Sequence, residues 1–176
     1  MNKHNNQRCL VTVDGTDFQI HEPTPFSPMW YSHKFHGPGV RYEVALCIQT
    51  GWIVWVNGPF PCGEWPDLRI ARESLIHCLE AGEYYLADGG YNDGRQYAYT
   101  PTGYNNNRQR LEALARARHE TVNRRFKVFR ALKDVYRHDL SYHGSIFRAI
   151  ANVTKVGIAY GISPLFQIDY DEEELP

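Results

Sequence analysis

No stretch of this chain approaches the ~20 apolar residues needed to cross a bilayer. The opening residues do not read as a secretory leader, and the sequence shows no internal repeat and no long low-complexity segment. These absences exclude a helical membrane protein and a repeat array, and predict a soluble protein without a membrane partner. The four cysteines, Cys9, Cys47, Cys62 and Cys78, are widely spaced with no Cys-x-x-Cys pair. That argues against a redox motif, and they read as reduced core thiols of an intracellular protein. A zinc site is equally poorly supplied, because His33 and His36 sit in a proline-rich loop with no cysteine pair beside them. Strong net charge is missing too, at −1. The balance hides an asymmetry: residues 108 to 137 are heavily basic, whereas Asp169-Tyr-Asp-Glu-Glu-Glu174 is acidic.

What is present is enough apolar and aromatic content, 43% and 14%, for one globular domain with a sizeable core. The expected division is a domain over 1–168 and an acidic tail over 169–176. Residues 9–13 read as a short strand stopped by Asp14-Gly15, which is turn chemistry. Residues 21–39 carry four prolines among Trp30, Tyr31 and Phe35 and read as an aromatic loop that packs on something. Arg41 to Gln49 and Trp52 to Asn57, joined at Thr50-Gly51, have the pattern of an antiparallel hairpin. Pro66-Asp67 opens a helix that runs toward Gly82, with Leu68, Ala71, Leu75 and Leu79 on its apolar face. Tyr84 to Ala87 is a strand that ends on Asp88. Residues 94–107 look irregular, Arg108 to Lys133 is one long helix, and a last helix covers roughly Ser145 to Tyr160. The order β-β-β-α-β-α with an additional C-terminal helix predicts a mixed-sheet α/β domain of ribonuclease H-like type. In such a sheet the first and fourth strands are parallel neighbours.

The chemistry-bearing residues follow that plan. Asp14 and Asp88 each follow an apolar run. Arg116, Glu120 and Lys127 stand at helical offsets of four and seven, so one carboxylate shares a face with two bases. Mg²⁺ prefers oxygen ligands and is commonly held by a few carboxylates with substrate phosphate. Two such ions can promote phosphodiester cleavage, for which Asp14, Asp88 and Glu120 are the candidate ligands. Arg116, Arg124 and Lys127 are candidate phosphate contacts. Asp67 is the rival for the second acid; its place at a helix start favours capping, with a supporting role behind the ligands as the alternative. Each residue also has a plainer use. Asp-Gly is ordinary turn sequence, Glu120 with Arg116 is an ordinary helical ion pair, and the basic run could be a solvated face. His119, about 100° around the helix from Glu120, is expected to face DNA or solvent. Trp30, Tyr31, Trp52, Trp55 and Trp65 could stack on bases, although packing is the commoner use.

Val13-Asp14-Gly15-Thr16, Leu86-Ala-Asp88-Gly-Gly-Tyr91 and Glu120 with Lys127 resemble the catalytic domain of DDE transposases, specifically the PIF/Harbinger-like group and its transposon-derived relatives. Phe35 to Tyr42, Asn57 to Gly63 with Asp67, and Ser163-Pro-Leu-Phe166 look like the same group, so matching blocks span nearly the whole chain. The spacing Arg116-x3-Glu120-x6-Lys127 is also similar to the signature of related bacterial insertion-sequence transposases, except that Ala113 stands where those have tyrosine. The resemblance implies hydrolysis at a transposon end, using two Mg²⁺ ions for which Mn²⁺ can substitute, and then attack of the freed 3′-OH on target DNA. Asp14 and Asp88 would hold the ions and Glu120 would complete the site. DNA is the implied partner, with a Myb-like or other DNA-binding protein supplying sequence recognition and self-association left open. The nucleus is the expected compartment and the cytoplasm the alternative.

About nine residues precede the first expected strand, too few for a DNA-reading element. An excised domain, a truncated copy and a domesticated descendant are all consistent with that. The competing reading is a non-catalytic transposase-derived module that binds DNA or a protein through its basic helix. A ribonuclease or junction resolvase would use the same ions.

Overall fold

The computed structural model describes residues 8–94, 96–100, 106–162 and 164–168. The acidic tail and Ser163 lie outside them. The elements are β1 (Arg8–Gln19), β2 (Tyr31–Ser32), β3 (Gly37–Cys47), β4 (Ile53–Pro61), α1 (Asp67–Glu73), β5 (Glu83–Ala87), β6 (Ala98–Tyr99), α2 (Asn106–Phe126), α3 (Arg130–Lys133) and α4 (His143–Ala159). The protein is an α/β domain with one mixed six-stranded sheet and, among the described residues, four α-helices. β1 lies between antiparallel β3 and parallel β5; β6 extends the sheet beyond β5, while β2 and β4 both pair β3.

The hairpin of β3 and β4 matches the sequence expectation, and Gly51 takes the left-handed φ of 72° in its connection. β1 differs from expectation. It does not stop at Asp14-Gly15 but runs on to Gln19, pairing Asp14 with Val44 and Gly15 with Glu43. The reason is packing. Phe18 in the strand and Ile20 just beyond it are almost fully buried, each worth roughly 1.5–3 kcal/mol. A glycine inside a strand costs about 0.5–1 kcal/mol. Asp14 is therefore a mid-strand residue.

Two layers cover the sheet. On one face α2 and α4 pack on Phe18, Tyr42, Val44 and Leu46, with the Tyr42 and Phe147 rings stacked at 3.8 Å. On the other, α1 covers Val13, Ala45 and Tyr85. α1 is shorter than expected, because the Ser74 hydroxyl bonds back to the Ile70 carbonyl at 2.6 Å and a 3₁₀ turn over Leu75–Cys78 follows. The long basic helix is likewise broken after Phe126, leaving Phe129 partly exposed. The segment expected to be irregular supplies β6, parallel to β5. None of the four cysteines forms a disulfide; Cys78 is exposed, so it is no core thiol. No helix among the described residues is long and apolar enough to cross a membrane.

A candidate carboxylate site at the β1–β5 edge

The parallel ladder between β1 and β5 pairs Val13 with Ala87. Asp14 and Asp88 follow those partners and so stand at the same level on adjacent strands. Asp88 leaves the sheet at the end of β5, where its Oδ1 accepts the Gly90 N–H at 2.8 Å and caps the turn Gly89–Tyr91. Both aspartates open into a cavity of about 360 Å³, whose other wall is α2, with Arg116, His119, Glu120 and Asn123. Burial, then the charges of Asp88 and Asp67, pushes the Asp14 carboxyl up to about 6; Lys34 and the Gly15 N–H act against that.

Asp67, at the start of α1, is drawn into the same group from behind. Successive strand residues face opposite sides, so Gly15 presents the face away from Asp14. A methyl group there would overlap Asp67 Oδ1. Asp67 thus lies over β1 on the α1 side, while Asp14 points toward α2. Arg41 Nη1 sits 3.2 Å from Asp67 Oδ1, yet that buried oxygen has no hydrogen-bond partner of proper geometry among the described residues. Burial raises the Asp67 carboxyl, with Arg41 opposing and Asp17 and Asp88 adding to the rise. Arg41 also chelates Asp17, at 2.7 and 3.1 Å, and Ser32 donates to Asp17 at 2.9 Å. Burial works against Asp17, but these partners hold its carboxyl below the ordinary range.

The structure places four residues of the basic helix, His119, Glu120, Arg124 and Lys127, in settings that the helical wheel does not distinguish. His119 is buried, not solvent-facing, and its Nε2 lies 2.9 Å from Thr12 Oγ1. The inward face of α2 runs through Leu111, Ala115, Arg118, His119, Val122 and Phe126. Glu120, one step around, lies at the cavity margin with its side chain 65% exposed and 3.8 Å from Arg124 Nη2. Arg124 is itself exposed and does not line the cavity. Lys127 leaves the face shared by Arg116 and Glu120: it follows the end of α2, with Nζ 5.9 Å from the Phe18 ring centre. The ammonium is attracted there by the electron-rich face of the ring. Among the described residues no three His, Cys, Asp or Glu side chains come close enough together to cage a metal ion.

Two further residues carry the architecture. Arg118 is fully buried and donates to the carbonyls of Phe166, Cys47, Ile48 and Gln49, tying α2 to the β3–β4 connection and the C-terminal segment. Glu43, opposite Gly15, is completely buried and accepts from Trp55 Nε1 at 3.2 Å; burial pushes it up to about 7. Its signal in the sequence is a lone acid within the apolar run 40–48. Arg118 has no such signal, lying in a helix full of arginines.

A comparison of the chain with protein-family models found no matching family, and a comparison with curated proteins found no match.

Proposed function

We propose that this chain is a ribonuclease H-like, metal-dependent DNA endonuclease and strand-transfer domain, from a PIF/Harbinger-like DDE transposase or a nuclease derived from one. The observation that carries this reading is the β1–β5 register, which sets Asp14 and Asp88 side by side at the mouth of a cavity that Glu120 also lines. The sheet order β4-β3-β1-β5-β6 is compatible with that fold. Charge adds support. Burial, and then the charges of Asp88 and Asp67, raise the proton affinity of Asp14 at a place where a hard divalent cation would relieve the repulsion.

Asp14 and Asp88 would hold the metal, with Glu120 at the outer wall. Mg²⁺ or Mn²⁺, bound as a pair of ions, would supply activation of an attacking oxygen and stabilisation of the leaving oxygen. The chain itself positions the substrate. Arg116, on the cavity wall, orients a phosphate oxygen, while the contact between His119 and Thr12 holds α2 at a fixed distance from β1. Asp67, on the far side of β1 and paired with Arg41, supports the ligands from behind.

A second reading, a non-catalytic DNA- or protein-binding module, is favoured by one observation: Glu120 pairs with Arg124 instead of joining the aspartates. Mg²⁺- or Mn²⁺-dependent nicking of supercoiled DNA separates the two. Under the nuclease reading Asp88→Ala abolishes nicking; full nicking by that variant refutes the site.

A further inference from the structure

We propose that Lys34, at the turn between β2 and β3, binds a backbone phosphate of the nucleic-acid strand from the cavity wall that α2 does not form. The inference rests on the site reading above and adds a residue that the acids and the basic helix do not supply. Lys34 lines the same cavity as Asp14, Asp88 and Arg116, but arrives from a different element. Among the described residues no carboxylate lies within ion-pair distance of it.

The turn is held firmly. The Lys34 N–H donates to Ser32 Oγ at 3.3 Å and the Phe35 N–H to the Ser32 carbonyl at 3.3 Å, while His36 closes the turn at a left-handed φ of 50°. Ser32 is buried and donates to Asp17, which Arg41 chelates, and Arg41 reaches on to Asp67. One chain of polar contacts therefore runs from the lysine-bearing turn to the acid group. The turn is thereby tied to Asp67 behind β1, while the lysine itself lines the cavity into which Asp14 and Asp88 open.

Charge explains what the ammonium lacks. It is close enough to Asp14 to stabilise that carboxylate and close enough to Lys127 to repel that ammonium. Lys34 lines the cavity with no ion-pair partner among the described residues, so its charge is available to an anion there. A phosphodiester oxygen has the charge and size for it, and contacts of this kind position a strand without reading its sequence.

The test is equilibrium binding of a short fluorescent DNA duplex to the full chain, with Ca²⁺ replacing Mg²⁺, across a series of salt concentrations. Lys34→Gln is expected to lower the slope of log affinity against log salt by about 0.9, the value for one lost phosphate contact on duplex DNA. Lys34→Arg should retain the slope, and Lys155→Gln, on exposed α4 surface, should leave it unchanged. A lysine that only balanced Asp14 would alter the melting temperature and not the slope. An unchanged slope in Lys34→Gln overturns the inference and leaves the acid site standing. Failure of the unaltered chain to bind the duplex at any salt concentration overturns both.

Discussion

Val13 and Ala87 are direct partners in the parallel ladder of β1 and β5, and the next residue on each strand is an aspartate. Two distant acids thereby become neighbours, and their mutual repulsion is built into the fold. Burial and the charges of Asp88 and Asp67 lift the Asp14 carboxyl from 3.8 to about 6.

The lifted carboxyl has a sign. Its folded-state value lies above the unfolded one, so its ionisation destabilises the fold as pH rises from about 4 through about 6. Asp14→Asn should therefore raise stability near neutral pH, on the order of 2 kcal/mol, measured by urea denaturation. Mn²⁺ should raise the melting temperature of the unaltered protein and fail to do so in Asp14→Asn. Equal metal stabilisation in both proteins would remove Asp14 from the ligands.

Asp67→Asn separates a ligand from a support. A residue behind β1 that acts through Arg41 and Gly15 should weaken metal affinity about 10–100-fold without abolishing nicking. The Mn²⁺ concentration for half-maximal nicking reads this directly. Complete loss at saturating metal would make Asp67 a ligand in place of Asp88.

Acid stability should report the two buried imidazoles. Burial depresses His119 and His143 from 6.5 to about 4. The unfolded chain binds more protons across that interval, so their contribution is complete above about 6.5 and is lost as pH falls toward 4. Asp14 and Glu43 act in the opposite sense over an overlapping range. Comparing urea denaturation at neutral and mildly acid pH isolates the imidazole: His119→Asn should lose less stability on acidification than the unaltered protein. A larger loss in the variant would mean that His119 is protonated in the fold.

Arg118→Met tests the buried guanidinium. Removing it takes a donor from four carbonyls at the junction of α2, the β3–β4 connection and the C-terminal segment; Cys47 and Gln49 keep the Gly51 and Ile168 N–H groups, whereas Ile48 and Phe166 lose the donor that Arg118 supplies. We expect a loss of roughly 2–5 kcal/mol in urea denaturation, at about 1–3 kcal/mol for each buried acceptor left unpaired. A change below about 1 kcal/mol would show that those carbonyls find other donors.

Much of the fold was legible in the sequence because its signals are local. The β3–β4 hairpin, β5 ending before Asp88, and α4 all follow from apolar patterning and turn residues. Local preference is overridden where distant packing outweighs it. Asp14-Gly15 reads as a turn, yet β3 and the burial of Phe18 and Ile20 draw the strand through it. The helical wheel places His119 and Glu120 about 100° apart, but it cannot say which of the two faces the sheet.

Sequence alone determined which residues could do the chemistry and in what order they occur: two aspartates after apolar runs and a glutamate in a basic helix. Those properties reside in side-chain type and spacing, which the chain carries before it folds. Tertiary structure alone decided their relations. The β1–β5 register made Asp14 and Asp88 neighbours, bare Gly15 let Asp67 close behind them, and the buried face of α2 turned His119 inward while leaving Glu120 with Arg124. Strand register and helix rotation are set by contacts between segments far apart in the chain, and no local pattern encodes them.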